Sequence, residues 1–148
     1  MSGRGGPRLT GAELDAVALA AEGLKIRAIA RRLNVTEAAV QSRLRSARLK
    51  SRSARTTALI HAVYTSGQLK PPAPVRAVPL SADQTQVLGY LAQGLTAAGM
   101  RPLVTWPQWR LSDAYADLLA DLDATDRPAH AIKRAWAMGH LGQEQGTT

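Results

Sequence analysis

Apolar residues recur every three or four positions in a stretch near the start of the chain, and this spacing predicts two short helices. The apolar positions are Ile26, Ile29, Ala30 and Leu33 in the first helix and Val40, Leu44 and Ala47 in the second. Each set falls on one face of its helix, so both faces can be buried on a shared core. Asn34 is suited to turn the chain between the helices, and Thr36 is suited to cap the second one. The stretch is therefore predicted to be a helix-turn-helix.

A further helix is predicted on each side of this pair. Thr10 is a favourable N-cap with Glu13 in the capping-box position, and Gly23 can end the helix that they begin. After the pair, another helix is predicted from about residue 55 to residue 66, and its apolar face is a candidate interface. That face is formed by Leu59, Ile60, Val63 and Tyr64.

A proline-rich segment, residues 70–79, has four prolines in ten residues and is predicted to be an extended, stiff linker between two domains. Beyond it the earlier pattern starts again at a constant offset, because Ser81 and Gln84 repeat the capping pair and Gly94 repeats Gly23. Residues 130–141 resemble residues 58–69 at an offset one position longer. We therefore predict an all-α chain of two tandem four-helix units, residues 9–69 and 80–141, with disordered tails at 1–8 and 142–148.

Composition limits the functional classes. The chain has no cysteine, which excludes disulfides, thiolate metal sites and cysteine nucleophiles. No apolar run approaches the length of a membrane span, so we expect a cytoplasmic protein that does not contact membranes. The net charge of +8 favours a polyanionic partner. This charge is uneven: residues 9–69 hold ten Lys/Arg and four Asp/Glu, net +6, whereas residues 80–141 hold five and six, net −1.

Three segments of the first unit resemble the LuxR/GerE-type DNA-binding domain. They are LTGAELDAVALAAEGL at residues 9–24, IARRLNVTEAAVQSRL at residues 29–44 and RTTA at residues 55–58. Residues 40–48 are also similar to the fourth conserved region of bacterial sigma factors. The LuxR/GerE resemblance implies that the third helix enters the major groove of DNA and that the fourth forms a dimer interface. It covers most of the first unit but only the two ends of the second.

The third predicted helix, residues 37–50, presents one face for reading bases. A rotation of 100° per residue places Ala38, Gln41, Ser42 and Arg45 away from the buried stripe. Gln41 can pair with adenine and Arg45 with guanine, each through two hydrogen bonds, while Ser42 suits several bases and Ala38 can contact a thymine methyl. These four residues are the predicted base-reading set.

Phosphate contacts are predicted around the same helix. Thr36 and the free amides of the helix N-terminus suit a phosphate, because that end of a helix is electropositive. Nearby basic side chains can neutralise further phosphates and so fix register without reading sequence. The candidates are Lys25, Arg27, Arg31, Arg32, Arg43, Arg48 and Arg52, although not all of them can face DNA at once.

The second unit differs at the equivalent positions, which are Trp109, Ser112, Asp113 and Ala116. Four further aspartates follow, and such a helix would be repelled by phosphate. Pro102 and Pro107 predict that the region before this helix is remodelled. We expect the second unit to serve an interface: either its last helix, with Ile132 and Trp136, packs on residues 55–66 as an internal pseudo-dimer, or the chain forms a homodimer.

No enzymatic motif is found in the sequence. Of the three histidines, His61, His130 and His140, the first two lie near the equivalent point of the two fourth helices, where solvent exposure or helix packing is expected. The carboxylates lie near no nucleophile motif or phosphate loop. We therefore expect no catalysis, cofactor or metal. The predicted function is a sequence-specific regulator of transcription that binds double-stranded DNA. The alternatives are a protein-interaction module that contacts the transcription machinery and a phage or plasmid DNA-binding accessory protein.

Overall fold

The structure, a computed structural model, describes residues 8–142, and within that range the chain is all-helical and has no strand. The all-α prediction is therefore confirmed, while the predicted tails lie outside the described residues except for Arg8 and Gly142. The α-helices are α1 (Gly11–Ala21), α2 (Ile26–Leu33), α3 (Glu37–Ser51), α4 (Thr56–Thr65), α5 (Ala82–Ala92), α6 (Ala97–Met100), α7 (Gln108–Asp121) and α8 (Pro128–Ala137). A 3₁₀ turn, Arg101–Leu103, follows α6.

Two capping boxes fix where α1 and α5 begin. The hydroxyl of Thr10 accepts a hydrogen bond from the Glu13 amide at 3.1 Å, and the Glu13 carboxylate accepts one from the Thr10 amide at 2.8 Å. Ser81 and Gln84 form the same pair of bonds, at 3.1 and 2.7 Å. Each box satisfies two amides that a helix start would otherwise leave unpaired, as the sequence predicts.

The turn between α2 and α3 is built from the two predicted residues. Asn34 ends α2 in the left-handed conformation, with φ 57° and ψ 47°, which asparagine tolerates better than most residues. The hydroxyl of Thr36 then caps α3 by accepting the Ala39 amide at 3.0 Å. Ile29 of α2 and Val40 and Leu44 of α3 are buried beneath the turn, so the two helices share one core.

The helices after residue 80 repeat the bounds of those before it, except in one region. The start of α5 lies as many residues after the start of α1 as the start of α7 lies after that of α3. The distance from the start of α4 to the start of α8 is one residue longer. Only α6 is short, because Pro102 lacks the amide that would continue the helix and instead lies in the 3₁₀ turn. Val104 is extended and Pro107 precedes α7, so the path of the chain before α7 differs from that before α3.

The two halves of the chain share one continuous cluster of buried apolar residues. Helix α4 packs against α8, α1 packs against α8, and α5 packs against α4. Residues 70–80 contain no helix and lie along the end of α8, where the Val75 amide donates to the Ala137 carbonyl at 2.9 Å. The Nε2 of His140 lies 2.8 Å from the Val78 carbonyl oxygen. The proline-rich segment is thus joined to the C-terminal end of α8 by these two contacts.

Gly94 allows α5 to approach α4 closely, and a matched pair of variants tests this contact. Gly94 is buried with φ +95°, and a Cβ there would lie 3.1 Å from the Cβ of Ala58. Gly67 has φ +79° but open space around it. Gly67→Ala should therefore lower the free energy of unfolding by about 1 to 2 kcal/mol, the cost of placing alanine in the left-handed conformation. Gly94→Ala should lower the free energy of unfolding by about 1 kcal/mol more, since its methyl also crowds α4.

Chemical denaturation of both variants measures the difference. Equal losses of stability would show that the close approach of α5 to α4 contributes nothing.

Candidate nucleic-acid interface

The four predicted base-reading residues lie together on one exposed face of α3. Ala38, Gln41, Ser42 and Arg45 are all exposed, and Leu49 extends the same face with 72% of its surface accessible. The opposite face is buried and consists of Val40, Leu44 and Ala47. This arrangement follows from the helical repeat and leaves the side chains of the exposed face free to enter a groove.

The predicted phosphate-binding residues surround that face but do not form a single cluster. Arg27, Arg31 and Thr36 line one shallow groove beside the α2–α3 turn, together with Asn34 and Glu37. Among the others, Lys25, Arg32 and Arg52 are exposed, whereas Arg43 and Arg48 are half-buried. The Thr36 hydroxyl already accepts the Ala39 amide, so its contribution to a phosphate site would come through a remaining lone pair or the neighbouring amides.

One acidic side chain enters the basic surface. Glu37 lies 3.6 Å from Arg27, and the two side chains are 53% and 79% exposed. An ion pair this exposed is worth at most about 1 kcal/mol, so Arg27 can leave it for a phosphate at little cost.

Glu13 connects the start of α1 to α3, and the sequence did not reveal this role. Its buried carboxylate accepts hydrogen bonds from the Ser46 hydroxyl at 2.6 Å and from the Lys50 ammonium at 2.9 Å, besides the Thr10 amide. Burial raises the pKa of Glu13, but these hydrogen bonds and the charge of Lys50 outweigh it and lower the pKa to about 2. Glu13 therefore joins the start of α1 to two positions on α3. The only sequence signal was that Ser46 and Lys50 lie four residues apart on one helical face.

A contact between α5 and α7 has the same sequence separation but a different charge pattern. Gln84 donates a hydrogen bond to the Asp121 carboxylate at 2.8 Å, across the same separation of 37 residues that joins Glu13 to Lys50. An anion facing a cation is thus replaced by an amide facing an anion. Both pairs connect the first helix of their half to its third.

The exposed face of α7 is acidic and aromatic. Trp109, Ser112, Asp113 and Ala116 are all exposed, with 65% of the Trp109 surface accessible. Helix α3 holds four basic residues and one acidic residue, net +3, whereas α7 holds one basic residue and three aspartates, net −2.

The one arginine of α7 is already paired. Arg110 donates two hydrogen bonds to Asp83, at 2.7 and 2.9 Å, and lies 4.6 Å from the ring centre of Trp106. The hydrogen bonds from Arg110 lower the pKa of Asp83. Neither Arg110 nor the rest of the α7 surface offers the positive charge that a phosphate requires.

The predicted interface residues lie in α4 and α8. Leu59, Ile60, Val63, Tyr64 and Ile132 are buried, and Trp136 is half-buried. The rings of Trp136 and Tyr64 are 5.5 Å apart, and the Trp136 indole donates to Nδ1 of His61 at 3.0 Å. These side chains belong to contacts within the chain.

The described residues contain no group of three or more His, Asp or Glu side chains that could hold a metal ion. Each histidine has a partner in the fold: His61 accepts from Trp136, His130 lies 2.8 Å from the Ala21 carbonyl oxygen, and His140 lies near Val78. Between residues 8 and 142, no helix is both long and apolar enough to cross a bilayer.

The chain matches no protein-family model, and comparisons with curated proteins and with solved structures find no significant similarity. A functional assignment therefore depends on the residues and their arrangement.

Proposed function

We propose that this protein binds double-stranded DNA by inserting α3 into the major groove and that it regulates transcription. The supporting observation is the exposed α3 face, on which Gln41, Ser42 and Arg45 lie side by side above a buried apolar stripe. Glutamine and arginine are the side chains that pair with adenine and guanine through two hydrogen bonds. The net charge of +3 on α3 and the surrounding arginines supply attraction to the phosphates. The resemblance to LuxR/GerE-type domains points to the same use of this helix.

We further propose that residues 9–69 and 80–141 are two related helix-turn-helix units joined by the proline-rich linker. The matching helix bounds, the two capping boxes and the equal spacing of the pairs that join first and third helices support this. In this proposal the second unit has lost DNA reading and acts as an internal partner for the first. Light scattering at several concentrations tests it, since an internal pseudo-dimer should keep the mass of one chain throughout.

A second function is favoured by the surface of α7. A protein-interaction role would use the exposed Trp109 beside Asp113, because aromatic residues are enriched in protein interfaces relative to the rest of the surface. That role is compatible with DNA binding by α3, since the two faces belong to different helices.

In vitro selection of duplexes by the purified protein tests the DNA-binding proposal. Arg45→Ala should weaken binding to the selected site by about 10- to 100-fold, because one two-bond base contact is lost. The preference for one base at the contacted position of the site should be lost as well. Binding of Arg45→Ala to random DNA should weaken by a smaller factor, because only one of the positive charges of α3 is lost there. Competition assays at fixed salt measure both quantities.

Arg31→Ala is the matched control, because Arg31 is exposed beside the turn and lies outside the base-reading set. It should weaken binding to selected and to random duplexes by similar factors and should reduce the dependence of the affinity on salt concentration. If the wild-type protein enriches no sequence, or if Arg45→Ala weakens both kinds of duplex equally, α3 does not read bases as proposed.

A further inference from the structure

We propose that one chain recognises a single DNA half-site without palindromic symmetry, because its second half occupies the position of a dimer partner whose reading helix no longer binds DNA. This inference rests on the proposed function and specifies the class of duplex that the α3 face would select.

The contacts between the two halves are reciprocal. Helix α4 packs against α8 at the centre, and on the two sides α8 contacts α1 while α4 contacts α5. A Cβ on Gly23 would lie 2.8 Å from Cδ of Arg127 and 3.3 Å from Cβ of His130. A Cβ on Gly94 would lie 3.1 Å from Cβ of Ala58 and 3.8 Å from Cβ of Arg55.

These two sets of contacts are equivalent position by position. Gly94 is the counterpart of Gly23 in the repeat, and Arg127 and His130 are the counterparts of Arg55 and Ala58. An interface has two-fold character when a first patch on one unit contacts a second patch on the other, and the second patch on the one contacts the first patch on the other. The reciprocal contacts therefore place α3 and α7 as a two-fold related pair.

Dimeric helix-turn-helix proteins use such a pair to read the two halves of an inverted repeat. Here the second helix of the pair presents Trp109 and Asp113 where the first presents Ala38 and Ser42. Its net charge of −2 opposes contact with phosphates. Only one half of the repeat can be read, so the expected ligand is a single half-site bound by one chain.

The interface is also closed to a second chain. The side chains of α4 that contact Trp136 of α8 are already covered, since Tyr64 is buried and His61 is half-buried. A dimer between chains through this face would first require the two halves to separate. One chain per duplex is therefore the expected stoichiometry.

A graft of the α3 reading face onto α7 tests the inference. The graft consists of Trp109→Ala, Ser112→Gln, Asp113→Ser, Ala116→Arg and Asp117→Ser, which copies the residues at the equivalent positions of α3. All five positions are exposed, so the helical fold should be retained, as circular dichroism would verify. The graft should select an inverted repeat of the wild-type half-site, with a single fixed spacing between the two half-sites. One chain should still bind each duplex. The affinity of the graft for the repeat should exceed its affinity for one half-site by at least about 10-fold, because the glutamine and arginine placed at positions 112 and 116 can each form a two-bond base contact.

The matched control is Asp113→Ser with Asp117→Ser, which removes the negative charge and adds no reading residue. It should bind all duplexes more tightly without acquiring the repeat. Titration of wild-type protein against its selected site gives the stoichiometry independently of the graft.

The possible failures are distinguishable. If wild-type protein selects no sequence, the proposed DNA-binding function fails. If it selects a sequence but two chains bind an inverted repeat, or if the folded graft still selects one half-site, DNA binding stands and the half-site inference is overturned.

Discussion

Replacing Trp136 with alanine should lower the free energy of unfolding by about 3 kcal/mol, the lower end of the range for aromatic core residues, because Trp136 is half-buried. Trp136 packs on Tyr64 and His61 at ring distances of 5.5 and 5.6 Å and donates to His61. It is therefore a principal contact between α8 and α4. Its removal should both destabilise the protein and weaken the coupling between the two halves.

Two spectroscopic signals can detect that loss of coupling. All three tryptophans, Trp106, Trp109 and Trp136, lie after the proline-rich segment, so tryptophan fluorescence reports on the second half of the chain. Circular dichroism reports on the helices of both halves. In the wild-type protein the two denaturation curves should coincide, whereas in Trp136→Ala they should separate.

Trp109→Ala is the matched control, since it makes the same chemical change at an exposed position. It should alter stability by no more than about 0.5 kcal/mol and leave the curves coincident. Equal effects of the two substitutions would mean that the α4–α8 contact does not hold the halves together.

Local signals in the sequence determine most of the helix bounds. Thr10 and Ser81 begin helices where their capping boxes predict, and Asn34 and Thr36 form the turn before α3. Pro102 interrupts the helix after α5 for a reason that depends only on its own backbone. These features involve residues within a few positions of one another, so a single sequence contains the necessary information.

Contacts between residues far apart in the sequence could not be predicted in the same way. The capping role of Glu13 is evident from Thr10 three residues before it, but its bonds to Ser46 and Lys50 depend on how α1 crosses α3. The proline-rich segment contains no helix, as its composition predicts. Nothing in that composition predicts that the Val75 amide donates a hydrogen bond to the end of α8. Such contacts arise from the packing angle between helices, which side-chain spacing alone does not specify.

The candidate site falls between these cases. The outward position of Gln41 and Arg45 follows from the helical repeat and agrees with their exposure. Which arginines share a groove was not predictable, because Arg27 and Arg31 meet Thr36 only through the geometry of the turn. The sequence thus predicts the reading face better than its phosphate-binding surroundings.

Acidification should reveal how strongly Glu13 holds α3. Its pKa is about 2 in the folded protein against a usual value of 4.5, so the unfolded chain binds the proton more readily. The resulting stability is fully present above about pH 4.5 and is lost as the pH falls toward 2. A difference of about 2.5 pH units corresponds to about 3 kcal/mol. Denaturation at a series of pH values between 2 and 6 should show that loss in the wild-type protein.

Two variants separate the charge of Glu13 from its capping role. Glu13→Gln retains an oxygen for the Thr10 amide, as Gln84 does for Ser81, but removes the negative charge that faces the Lys50 ammonium. It should be less stable by about 2 to 3 kcal/mol at pH 7, because a hydrogen-bonded buried charge pair is broken. Adding Lys50→Asp restores the pairing seen between Gln84 and Asp121, so the double variant should recover at least about 1 kcal/mol. A double variant less stable than Glu13→Gln would show that the two halves do not use interchangeable contacts between their first and third helices.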